Sequence, residues 1–166
     1  SSEDPKMRSQ AISRLEKRGR AAEPAVKHLV ALLGEGPETK NRSFQTPGRA
    51  AARALGAIGP AALRPLKRAM RHRNWVVRMN AAEALGMLKD YRALLVLMDG
   101  LQDEQAGVRG EAARALGRIG DTRAIPSLIE VLKDRDPFVV CHAVRALGRL
   151  DACRAVRELT GLLTAG

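Results

Sequence analysis

Aromatic side chains are nearly missing from this chain: its 166 residues include one Trp, one Tyr and two Phe, although 45% of them are apolar. A core without rings has to be assembled from Ala, Leu, Val and Ile. That suits close helix packing and argues against a sheet, where aromatic and β-branched residues are favoured. Cysteine is equally scarce. Cys141 and Cys153 have no CxxC pair or His cluster beside them, which argues against a zinc site or a disulfide framework. Both read as small buried hydrophobes near helix starts. No apolar run approaches the roughly 18 residues of a membrane span, and SSEDPKMRSQ at 1–10 holds no apolar signal core. A cytoplasmic protein without membrane contact is expected. The absent initiating Met points to a trimmed or partial chain.

The most informative absence is that of acid. Between Glu38 and Glu83 there is none, while Lys40, Arg42, Arg49, Arg53, Arg64, Lys67, Arg68, Arg71, Arg73 and Arg78 supply ten positive charges. Residues 1–80 hold 17 Lys and Arg against 6 Asp and Glu, and residues 81–166 hold 12 against 12, so the whole net charge of +11 lies in the first half. Such a block sets up a local field that attracts an acidic partner.

What the chain has in abundance is a repeated nonapeptide. AARALGAIG (51–59), AAEALGMLK (81–89), AARALGRIG (112–120) and AVRALGRLD (143–151) recur with Gly56, Gly86, Gly117 and Gly148 spaced by 30, 31 and 31 residues, and AISRLEKRG (11–19) is a fainter copy. Val77, Ala81, Ala84, Leu85 and Leu88 trace the stripe of an amphipathic first helix. Asp4, Asn74, Gln105 and Asp136 stand at its N-cap, with Pro5 and Pro137 at the first helical position of two copies. Gly19, Gly59 and Gly120 suit left-handed C-caps. A second helix runs through Ile125, Leu128, Ile129 and Leu132, matched by Leu94, Leu97, Met98 and Leu101. A hairpin with one apolar stripe per helix cannot bury itself, so neighbours must stack into an all-α solenoid.

The stretch VRGEAARALGRIGDTRAIPSLIEVLKD, Val108 to Asp134, resembles the short HEAT-like repeat of the phycobilisome-lyase type, closely from about Arg49 to Leu163 and more loosely in the first unit. The resemblance implies a right-handed α-solenoid of about five hairpins, here a single domain over 1–166 with units at about 4–33, 46–73, 74–104, 105–135 and 136–165. A nine-residue surplus falls between the first two units, in an inserted loop at 34–45. For function the resemblance is broad, since similar repeats serve as adaptors, bilin lyase subunits, an iron hydroxylase and DNA glycosylases.

Enzyme readings find little support. His28, His72 and His142 are dispersed and none is followed by Glu, so the His-Glu pairs that hold iron in the HEAT-like deoxyhypusine hydroxylases are absent. No GxSxG, HExxH or Gly-rich phosphate loop occurs. Glycosylases of this architecture need aromatic residues and a catalytic acid in a basic groove, which one Trp, one Tyr and a far half without net positive charge do not offer. Neither catalytic residue, metal nor cofactor is expected, although a bilin lyase subunit would need no fixed motif.

The binding candidates lie in the second unit. LKRAMRHRNWVVR (66–78) aligns without a gap on LIEVLKDRDPFVV (128–140), yet carries five basic residues and no acid. Arg64, Arg68 and Arg71 share one side of the second helix, with Lys67 beside them. The resemblance implies that second helices line the concave face where partners sit. The Arg68 position is taken by His28, Asp99, Glu130 and Gly161 elsewhere, a change from basic to acidic along the stack. Asp103 stands six residues before Arg109, a spacing that in similar repeats pairs turn carboxylate with helix guanidinium. His72 in place of the acid would leave Arg78 unpaired, and Val140 in place of the base would leave Asp134 free. Trp75, flanked by Arg71, His72 and Arg73, is either a recognition residue or a cover for the preceding helix end. Lys40, Arg42 and Phe44 are possible loop contacts. The expected partner is a protein or peptide with an acidic surface; nucleic acid or another polyanion is the alternative.

Overall fold

A computed structural model describes residues 5–35 and 46–150. These residues form helices and turns only. The first helices are α1 (Pro5–Arg18), α3 (Pro47–Ile58), α5 (Trp75–Leu88), α7 (Ala106–Ile119) and α9 (Pro137–Leu150). Each of the first four leads through a 3₁₀ segment into a seven- or six-residue second helix: α2 (Val26–Leu32), α4 (Leu63–Ala69), α6 (Leu94–Gly100) and α8 (Ile125–Glu130). The architecture is the expected all-α solenoid of stacked hairpins. Asp4, Cys153, Gly161 and the loop residues Lys40, Arg42 and Phe44 lie outside the described residues.

The caps follow the sequence in part. The Thr46 hydroxyl accepts from the Arg49 N–H at 3.2 Å, Asn74 Oδ1 from the Val76 N–H at 2.9 Å, and Asp136 Oδ1 from the Phe138 N–H at 2.9 Å. Gln105 occupies the cap position but its side chain makes no cap bond. Asp103 Oδ1 instead accepts the Gln105 N–H at 3.0 Å. Gly120 ends α7 in the left-handed conformation, φ 80° and ψ 16°, whereas Gly59 turns at φ 92° and ψ −147°, outside it. In the third unit Lys89 takes the left-handed position at φ 51° without being a glycine. The turn that follows each of the two central first helices is pinned by an aspartate: Asp90 accepts from the Arg92 N–H and Asp121 from the Arg123 N–H.

A single apolar stripe understates the burial of these helices. In α5, Arg78, Asn80, Glu83 and Gly86 are buried together with Val77, Ala81, Ala84 and Leu85, because the neighbouring first helices cover both flanks. Small residues bring those helices to backbone contact. A Cβ added at Gly86 would lie 2.7 Å from the Cα of Ala115, and one added at Gly117 equally close to the Cα of Ala146. The apolar layer between first and second helices is fully buried at Leu55, Leu66, Leu85, Leu97, Leu116 and Leu128, each contributing about 1.5–3 kcal/mol of transfer free energy. Cys141 departs from its expected burial: it is exposed on α9.

Candidate functional site

The repeat places its most regular charges inside the stack. Arg78 reaches from α5 to the turn that closes its hairpin, where Nε and Nη2 donate to Asp103 at 2.7 and 2.9 Å and Nη2 also to Glu104 at 3.2 Å. Its Nη1 caps the preceding turn through the carbonyls of His72 (2.8 Å) and Arg73 (3.1 Å). Arg109 repeats the pattern one unit on, with Asp134 at 2.6 and 2.9 Å and the carbonyls of Asp103 and Glu104. The expectation that Arg78 and Asp134 are unpaired is therefore overturned. The carboxylate partner lies twenty-five residues ahead, in the turn that closes the same unit, and the residue six positions back contributes only its backbone carbonyl. His72 costs Arg78 nothing, and its Nδ1 accepts the Asn74 N–H at 3.1 Å, the turn bond that Asp103 makes to Gln105.

These contacts set the charges. The Asp103 carboxyl is pushed up by burial, but hydrogen bonds from Arg78 and the Gln105 N–H outweigh this and hold it below the usual carboxylate range. Asp134 is held low by the hydrogen bond from Arg109. Arg78, with only 8% of its surface exposed, belongs to the scaffold and not to an open face.

Two more of the ten positive charges are taken internally. Arg49 donates to Glu83 at 3.0 and 3.2 Å, and Arg53 lies 3.7 Å from Glu16. Of the described members of the block, Arg64, Lys67, Arg68, Arg71 and Arg73 remain, and none has a side-chain hydrogen bond or ion pair among the described residues. All but the half-buried Lys67 are exposed.

The geometry divides this group. Arg64 and Arg68 of α4, with His72, line a groove against Lys27, Val30 and Ala31 of α2, and Pro65, Ala69 and Val77 also border its volume of about 780 Å³. Asp90 of the third unit is held below the usual carboxylate range by its hydrogen bond from Arg92, and the Lys67 charge adds to this. Arg71 and Arg73 lie outside the groove lining, so the anticipated common side of Arg64, Arg68 and Arg71 is realised for Arg64 and Arg68 within the groove. Trp75 is half-buried and turns toward the next unit, where a Cβ at Gly107 would lie 3.5 Å from its Cζ3. The positions equivalent to Arg68 run His28, Asp99 and Glu130, all exposed. Between the third and fourth units a groove of about 510 Å³ is lined by Asp103, Glu104, Glu130 and Asp134 together with Arg109, Lys133 and Arg135, so the excess of positive charge at the α2–α4 groove is not continued along the stack.

A second charged system went unread in the sequence. Across the first helices Arg49 of α3, Glu83 of α5 and Arg114 of α7 alternate, with Arg114 Nη2 3.0 Å from Glu83 and its Nε donating to Glu111 at 2.8 Å. The residues concerned sit at the variable positions around AAxALGx, where Arg114, Arg118, Arg145 and Arg149 follow Arg53, Ala57, Glu83 and Met87 of earlier units. Aligning those positions is the signal that would have found it. Among the described residues no three His, Cys, Asp or Glu side chains converge to hold a metal, and no helix is long and apolar enough to cross a membrane.

A profile of HEAT repeats matches residues 40–109 and 94–166. Among solved structures, the complex of CpcE and CpcF of phycocyanin lyase from Nostoc sp. PCC7120 is similar at 30% identity and TM-score 0.65, over 100% of this chain and 67% of that one. Importin beta is similar at 25% identity and TM-score 0.64, over 80% of this chain but only 19% of that one. The Kap95:Nup1 complex, at 16% identity and TM-score 0.69, shares the fold over 90% of this chain and 24% of that one. No curated protein matches the sequence.

Proposed function

We propose, from the premise that this chain belongs to the HEAT-repeat family, that it is a non-enzymatic scaffold holding an acidic protein segment in the groove between α2 and α4. The observation that carries this reading is the groove itself: Lys27, Arg64 and Arg68 stand exposed and without ion-pair partners around Val30, Ala69 and Val77. Apolar contact in the floor supplies affinity, while cations at the rim select carboxylates and raise the association rate. Arg71, Arg73 and Lys67 extend the field, and Lys40, Arg42 and Phe44 of the adjoining loop are proposed further contacts. Two of the similar structures are complexes between proteins, CpcE with CpcF and Kap95 with Nup1. A lyase-subunit role is the second reading, supported by the 30% identity to the phycocyanin lyase structure.

The test is capture of partners from native lysate by the unmodified chain and by a Lys27→Glu, Arg64→Glu, Arg68→Glu variant. Loss of an acidic protein from the variant, with helicity and melting retained, is the expected result. Equal capture by both removes the groove from consideration. A coloured tetrapyrrole copurifying with the chain favours the lyase-subunit reading.

A further inference from the structure

We infer that the pocket between α7 and α9, on the face formed by the first helices, is a binding site for a phosphate group. Its wall is formed by Arg114 and Arg118 from α7 and by His142, Arg145, Ala146 and Arg149 from α9, enclosing about 200 Å³. Among the described residues no carboxylate lines it. The site lies well apart from the α2–α4 groove and in the half of the chain whose net charge is zero.

The alternating charges leading to it supply the first reason. Arg49, Glu83, Arg114 and Glu111 neutralise one another, two guanidiniums against two carboxylates. Beyond them stand Arg118, Arg145 and Arg149, and among the described residues no acid forms a salt bridge with any of the three. The cluster thus holds five guanidiniums against two carboxylates, an excess of three. The alternation of sign calls for a negative group at this point, and an excess of three favours a doubly charged oxyanion over a single carboxylate.

The second reason is an orphan donor. Nη1 of Arg118 is buried and has no hydrogen-bond partner, one of two such side-chain atoms among the described residues. A buried guanidinium N–H without an acceptor is strongly unfavourable, and in native proteins such donors are rare. Burial and the neighbouring Arg114 both depress the Arg118 pKa, the electrostatic environment that an anion relieves. Volume is consistent with the assignment: at about 30 Å³ per water, the pocket has room for several waters, or for a phosphate and part of the molecule carrying it.

Calorimetric titration of the intact chain with inorganic phosphate, at ionic strength fixed with chloride, tests this. Saturable binding with one phosphate per chain is expected, with no comparable binding of acetate. Arg118→Gln should weaken it about tenfold, the loss of one charge-assisted hydrogen bond. Arg145→Gln, at an exposed position on α9, should weaken it in the same direction without touching the packing. Phenyl phosphate distinguishes sources: tighter binding than inorganic phosphate assigns the remaining volume to an organic ester, and equal binding assigns the site to the free ion. Arg64→Gln with Arg68→Gln should leave the affinity unchanged, so this site and the α2–α4 groove stand or fall separately. The proposal is overturned if neither phosphate nor phenyl phosphate gives saturable heat, if Arg145→Gln binds as the unmodified chain does, or if the groove variant loses as much affinity as Arg118→Gln.

Discussion

Arg78 and Asp103 form a two-pronged ion pair between the first helix of a hairpin and the turn that leads out of it, with N–O distances of 2.7 and 2.9 Å and about a tenth of each side chain exposed. Arg109 and Asp134 reproduce it one unit later. Each guanidinium holds the turn that enters its unit, through two carbonyls, and the turn that leaves it, through the carboxylate, so the stack is joined by charge as well as by apolar packing.

Removing one partner tests that joint. Asp103→Ala leaves a nearly buried guanidinium with two carbonyls and the exposed Glu104, and should cost roughly 2–3 kcal/mol in urea denaturation. His72→Ala removes only the exposed turn bond to Asn74 and should cost less than about 1 kcal/mol. A larger loss at His72 than at Asp103 would contradict the assignment of the ladder.

The same pairs set an acid limit. The folded-state pKa values of Asp103 and Asp134 lie below the unfolded value of about 4, so their contribution is complete above that range and is lost as pH falls through it. Glu111 works in the opposite sense: burial raises its pKa, so protonation in the folded state favours the fold as pH falls toward about 4. Stability should therefore rise slightly on mild acidification and then drop steeply. Urea midpoints measured against pH should show a shallower acid drop in Asp103→Asn, Asp134→Asn and a flatter mild-acid region in Glu111→Gln.

Two glycines of one motif should respond differently. Gly117→Ala drives a methyl group to 2.7 Å from the Ala146 backbone and should destabilise by about 1–3 kcal/mol. Gly148→Ala meets nothing within 4 Å among the described residues and replaces a helical glycine, so it should be neutral or stabilise by up to about 1 kcal/mol. Thermal melting of both variants checks this.

Charge at the α2–α4 groove should matter for association and not for folding. Arg64→Glu with Arg68→Glu replaces two exposed side chains and should shift the melting free energy by less than about 0.5 kcal/mol. If the partner is a nucleic acid, binding should fall with salt at a log–log slope near 0.9 per phosphate contact on a duplex and be indifferent to Trp75→Ala. An acidic protein should respond to the charge reversal with a weaker salt dependence.

The period, the hairpins and most caps were legible because Ala, Leu, Gly and the cap residues recur at fixed offsets, and helix physics reads such offsets directly. The direction of the Arg–Asp pairing was not. Asp103 lies six residues before Arg109 and twenty-five after Arg78, and the two separations add up to one repeat, so the spacing is the same whichever guanidinium it serves. Only the stacking decides. The same reason hid the arginine pocket: Arg114, Arg118, Arg145 and Arg149 are scattered over two units in the chain and meet only once α9 lies against α7. Charge counts also overstated the open basic face, since Arg49, Arg53 and Arg78 find their acids outside the acid-free stretch.

Because each guanidinium joins the two turns that flank its own hairpin, units are interchangeable at a defined seam. Splicing Arg78 directly to Gly110 removes thirty-one residues, and Asp134 then falls at the same distance along the chain from Arg78 as it now has from Arg109. Arrays shortened or lengthened by whole periods at that point keep every rung of the ladder, whereas a cut out of phase by a few residues strands one guanidinium at the joint.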